Sequence, residues 1–214
     1  MSKEAPYSRI IEVWCWPRII LDEKILNYGH VELKADKFYT FLPDKDMTIL
    51  VNPDRTPEKD DAFYGCYAGL IRITDDAELL SSYDDVYRRL IRIFSRKGKD
   101  FDVKIIVGGI PVSESQYSNL LTYLQDQKGR QKKREEFFAM NETEYFYRSE
   151  GQSKNCVNFA FDALRRVNIF DPNDDLGGDG FWPEEFVDLL VKKHDSGNLA
   201  YLKTGTFSPA KFDV

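Results

Sequence analysis

Basic residues are in the minority in this chain, 30 Lys and Arg against 36 Asp and Glu, for a net charge of -6 at neutral pH. Affinity for phosphate backbones comes largely from clustered Lys and Arg, so a nucleic-acid partner is not expected. The one basic run, KGRQKKR (128–134), is followed at once by Glu135 and Glu136 and reads as a solvated face. Long apolar runs are lacking too: the opening MSKEAPYSRIIEVWCWPRIIL is broken by Glu12, Pro17 and Arg18. Nothing approaches the roughly eighteen apolar residues of a membrane span, and no signal peptide is recognisable, so no integral membrane segment is expected. The expected location is the cytoplasm as synthesised, with signal-independent export as an effector the alternative. Cysteine is scarce, three residues without CxxC spacing, which suggests neither a disulfide framework nor a zinc site. No cofactor or metal is expected. Histidine is scarcer still: His30 and His194 are the only two.

What the chain does have is apolar material, 42% hydrophobic and 14% aromatic residues over 214 positions. That is enough for one core, and a single domain spanning 1–214 is expected. RIIEVWCW (9–16) reads as a strand. NYGHVEL (27–33) and KFYTFLP (37–43), joined by KAD, read as a hairpin. Pairing Leu33 with Lys37 sets His30 opposite Thr40, an imidazole beside a hydroxyl. NPDRTPEKDD (52–61) is a surface loop, residues 62–73 a strand, 76–98 a helix and 101–112 a strand. Ser113 and Gln116 form a capping box for a helix carrying Tyr117, Leu120, Leu121 and Leu124 on one face. FFAMNETEYFYR (137–148) is a strand candidate, and a last helix begins at Pro183, whose fixed φ suits that position. The class is α+β, a small antiparallel sheet packed against helices.

In NCVNFAFDAL (155–164) the apolar residues Cys156, Phe159, Ala160, Ala163 and Leu164 recur at helical spacing behind Asn155, a good N-cap. Cys156 therefore falls in the first turn, where the helix dipole and backbone N–H groups favour thiolate over thiol. Its own N–H could serve an oxyanion. Buried structural cysteine is the ordinary alternative. A cysteine nucleophile needs a base that titrates near neutrality. His194, in KKHDSG at a helix end, suits a structural role there; His30, after a glycine that lets another backbone approach, is the better candidate. Asp171, Asn173 and Asp175 have the alternation of a calcium loop, but Leu176 and Trp182 occupy its required glycine and glutamate positions, and an EF-hand is rejected.

Histidine first on a hairpin strand and cysteine later at a helix start is papain chemistry with the chain connected in reverse order. YGHVELKADKFYTFLP (28–43), NCVNFAFDAL and FWPEEFVDLL (181–190) resemble the circularly permuted NlpC-type papain-like cysteine peptidases, the group that includes the lecithin retinol acyltransferase family. The hairpin also looks like papain-like domains of bacterial effectors and toxins. The resemblance implies a cysteine hydrolase of an amide bond, with Cys156 as nucleophile, His30 as base and Thr40 as the group orienting the ring. Glu32, on the same strand face, is a substitute for Thr40. Tyr28 and Asn155 are assigned to substrate binding. Expected partners are a peptide, peptidoglycan or protein substrate, and an immunity or inhibitor protein. An acyltransferase or thioesterase using the same cysteine and a non-catalytic binding or inhibitory module are the alternatives. The likeness covers the two ends of the chain; residues from about 52 to 148 are expected to form an insertion.

Overall fold

The computed structural model describes residues 7–27, 29–49, 66–98, 103–131, 144–145, 155–177, 182–208 and 211–213. Ten strands and four helices are formed by them. The strands are β1 (Arg9–Trp16), β2 (Ile19–Leu21), β3 (Lys24–Asn27), β4 (His30–Lys34), β5 (Phe38–Ile49), β6 (Cys66–Thr74), β7 (Val103–Val112), β8 (Glu144–Tyr145), β9 (Tyr201–Ser208) and β10 (Lys211–Asp213). The helices are α1 (Asp76–Arg96), α2 (Glu114–Gln131), α3 (Cys156–Arg166) and α4 (Pro183–Asp195). The fold is α+β. Eight strands make one antiparallel sheet in the order β10-β9-β7-β1-β4-β5-β6-β8, larger than the small sheet expected, while β2 and β3 pair separately.

Strand alternation sends neighbouring residues to opposite sides of the sheet. On one side Ile11, Val13 and Cys15 of β1, Val31 and Leu33 of β4, and Tyr39 and Phe41 of β5 form a core with α2, α3 and α4. Phe41 stacks on Phe159 of α3 with ring centroids 4.6 Å apart. On the other side Trp14, Trp16, Phe38, Val103, Ile105 and Val107 pack with Leu79, Tyr83 and Ile91 of α1. A strand covered on both faces has no use for polar alternation, which is why RIIEVWCW is apolar almost throughout.

Local signals account for the helix starts. Asp75 and Glu78 form a capping box on α1, and Ser113 and Gln116 form the expected one on α2. On α4 the Glu185 carboxylate accepts the Trp182 N–H at 2.9 Å.

Two expectations need correction. Within the middle of the chain, β7 lies between β1 and β9 in mid-sheet, and β6 pairs with β5. The tail holds β9 and β10, where no strand was expected. The run 27–33 is two strands, parted at Gly29, whose φ of +75° only glycine adopts readily. Most of the strand expected over 137–148 lies outside the described residues.

Candidate active site

The first site element is the start of α3. Asn155 is its N-cap: Oδ1 accepts from the N–H groups of Val157 (2.9 Å) and Asn158 (3.0 Å), and the Asn158 side chain accepts from Asn155 N at 2.7 Å. This reciprocal arrangement fixes Cys156 as the first helical residue. Asn155, expected to bind substrate, is 3% exposed, and its side-chain oxygen is engaged by the helix start. The Cys156 side chain is buried, the residue 6% exposed. Neither Cys156 nor Cys15 is in a disulfide. Cys15 is fully buried beside it; burial first, then the neighbouring Cys156, pushes the Cys15 thiol far above its usual range.

The second element is the start of β4. A β-carbon at Gly29 would lie 2.3 Å from the Trp16 carbonyl oxygen, so glycine is what lets β1 and the entry to β4 close on each other. His30 pairs with Trp16, and Glu32 with Trp14. Across the hairpin Glu32 faces Thr40, Leu33 faces Tyr39 and Lys34 faces Phe38. The expected pairing of His30 with Thr40 is therefore corrected by two residues. The turn is centred on Asp36, whose Oδ1 accepts from Lys37 N (3.0 Å) and from the Tyr39 hydroxyl (2.9 Å). Moving the centre by one residue changes each partner by two, which preserves the face but exchanges the residue opposite.

Thr40 consequently serves Glu32. Its hydroxyl donates to Glu32 Oε1 at 2.8 Å, the Tyr83 hydroxyl donates to the same oxygen at 3.1 Å, and the Trp16 indole donates to Oε2 at 3.3 Å. Three donors are the compensation a carboxyl group needs when it is 1% exposed. Burial nevertheless dominates and raises the Glu32 carboxyl to about 7, against the lowering effect of the three donors. His30 Nε2 lies 4.0 Å from Glu32 Oε1. That nitrogen is sealed from solvent and has no hydrogen-bond partner among the described residues, and burial lowers the imidazole to about 4. His30 is thus neutral at pH 7, the form a base requires.

By alternation Val31 and Leu33 point to α3, whereas His30 and Glu32 point to α1. Cys156 belongs to the core on the α3 side of the sheet, and His30 stands with Glu32 on the α1 side. Tyr83 of α1 reaches the same Glu32 carboxyl that lies near His30. Tyr83 was not singled out in the sequence, where it is one more apolar position of a helix; its stacking on Trp16 (centroids 3.9 Å, planes 14° apart) belongs to the tertiary structure alone. Tyr28 lies outside the described residues.

Other candidates do not assemble. His194 is half exposed in the last turn of α4, 3.6 Å from Asp195. In the acidic loop, Asp171 Oδ1 accepts from Asn173 and Asp174 pairs with Lys193 Nζ at 2.7 Å, so these carboxylates are occupied within the chain. Among the described residues no three His, Cys, Asp or Glu side chains stand together as a metal site. No helix among them is long and apolar enough to cross a membrane. No protein-family model, no curated protein and no solved structure matches this chain.

Proposed function

We propose that the protein is a papain-like cysteine hydrolase of amide bonds, with Cys156 as nucleophile and His30 as base. Cys156 Sγ attacks the carbonyl carbon, His30 takes the thiol proton and returns it to the leaving amine, and water then cleaves the thioester. Thr40 is replaced in this scheme by Glu32, which sits 4.0 Å from His30 Nε2. The observation that carries the reading is where the two reactive groups stand: Cys156 is the first residue of the capped helix α3, and His30 lies 4.0 Å from the buried Glu32 carboxyl.

A non-catalytic scaffold is the second reading. It is favoured by the 6% exposure of Cys156 and by the strand alternation that aims His30 at α1. Limiting iodoacetamide followed by peptide mapping separates the two. The hydrolase reading expects Cys156 to be alkylated well before Cys15 and Cys66, with a rate that drops in His30→Ala. Equal, slow labelling of all three cysteines, or a rate indifferent to His30, leaves the scaffold.

A further inference from the structure

We propose that Tyr83 is a positioning residue of the Cys156–His30 site, holding the Glu32 carboxyl toward His30 from a helix that neither reactive residue belongs to. This rests on the hydrolase reading. Glu32 Oε1 is the oxygen nearest His30 Nε2, and it is also the oxygen that receives both the Tyr83 and Thr40 hydroxyls. Thr40 fixes that oxygen from within the sheet. Tyr83 fixes it from above, and its ring lies flat on Trp16, whose indole holds the other carboxyl oxygen. The Glu32 carboxyl is thus gripped from β1, β5 and α1 at once, with His30 Nε2 4.0 Å from the doubly bonded oxygen. A carboxyl held this way can steer a neutral imidazole without rotating to meet it.

The charged or titratable groups on this face among the described residues are few. On β4 they are His30 and Lys34, whose ammonium is drawn to Asp76 at 3.2 Å. Glu12 of β1 takes the Trp14 indole and the Tyr201 hydroxyl. Arg72 of β6, across from Thr40, is exposed. Burial holds the Tyr83 phenol well above its usual pKa, so it remains a donor at every working pH.

Tyr83→Phe keeps the ring and removes only the hydroxyl. The test follows the Glu32 carboxyl by ¹³C NMR in glutamate-labelled protein, assigned with Glu32→Gln, and measures the rate of Cys156 alkylation over the same pH range. Loss of one hydrogen bond to the charged form is expected to raise the carboxyl midpoint by about one pH unit from its starting value. The pH profile of alkylation is expected to move up with it, and Thr40→Val to act in the same direction. An unmoved carboxyl midpoint overturns the proposal whatever Cys156 does. A midpoint that rises while the alkylation profile stays in place, with the rate still dependent on His30, also overturns it. A wild-type rate indifferent to His30→Ala identifies failure of the hydrolase reading instead, and Tyr83 then loses the role with it.

Discussion

Glu32 and His30 are held uncharged by the folded chain, although both are charged at mildly acidic pH once the chain unfolds. Folding raises Glu32 from 4.5 to about 7 and lowers His30 from 6.5 to about 4. The Glu32 shift makes the folded state bind the extra proton, so its contribution falls as pH rises from 4.5 through 7. The His30 shift does the reverse, and its contribution falls as pH drops from 6.5 through 4. Each is worth about 3 kcal/mol across its window. Between pH 4.5 and 6.5 the pair carries one proton in both states, on the carboxyl when folded and on the imidazole when unfolded, so the two effects cancel in the wild type. Removing either partner exposes the other. Relative to wild type, Glu32→Gln should lose stability as pH falls from 6.5 to 4.5, and His30→Asn should lose it as pH rises over the same interval. Urea denaturation at the two pH values checks both. Variants whose pH dependence follows that of the wild type would show that the pair is charged in the folded state.

At the scale of elements, α3 depends on its first turn. Without Asn155 Oδ1 the buried Val157 N–H and the part-buried Asn158 N–H would lose their acceptor. Asn155→Ala should cost about 1–2 kcal/mol, at the upper end of cap losses because the site is closed to water. Asn155→Asp preserves the cap while setting a negative charge beside the thiol. Thermal melts should find the Asp variant near wild type, with Cys156 alkylation at pH 7 slowed severalfold. Alkylation as fast as in wild type would mean that the thiolate is not governed by the helix start. Caps, turns and helical spacing are short-range, so α1, α2, α3 and α4 were legible in the sequence with their starts within a residue or two. The hairpin was legible too, but not its register. Asp36 as the centre of the turn is set by its hydrogen bonds to Lys37 and Tyr39, and KAD alone does not distinguish that centre from its neighbour.

At the scale of the whole molecule, the middle and the tail complete the sheet that carries the site. β7 stands beside β1 along seven register pairs, from Arg9 opposite Val112 to Cys15 opposite Ile106. β9 covers β7 from Val103 opposite Phe207 to Gly109 opposite Tyr201. Gly109 is required at that crossing, since a β-carbon there would lie 2.5 Å from the Tyr201 ring. A chain ended after Leu199 would leave the outer edge of β7 unpaired, and it should lose its cooperative thermal transition. A sharp melt near the wild-type temperature would show β9 to be dispensable. YLKTGTFS was not legible as a strand because its alternation is weak and its partner is some hundred residues away.

By itself the sequence determined the α+β class, the capped helix that begins at Cys156 and the glycine that admits His30 to the sheet. These follow from backbone preferences and hydrogen bonds within a few residues. Only the tertiary structure decided that Glu32 rather than Thr40 lies near the imidazole, that His30 turns toward α1 while Cys156 belongs to α3, and that Tyr83 reaches the Glu32 carboxyl. Which helix covers which face of a sheet is settled by burial summed over the whole chain, and no local pattern of residues contains that sum.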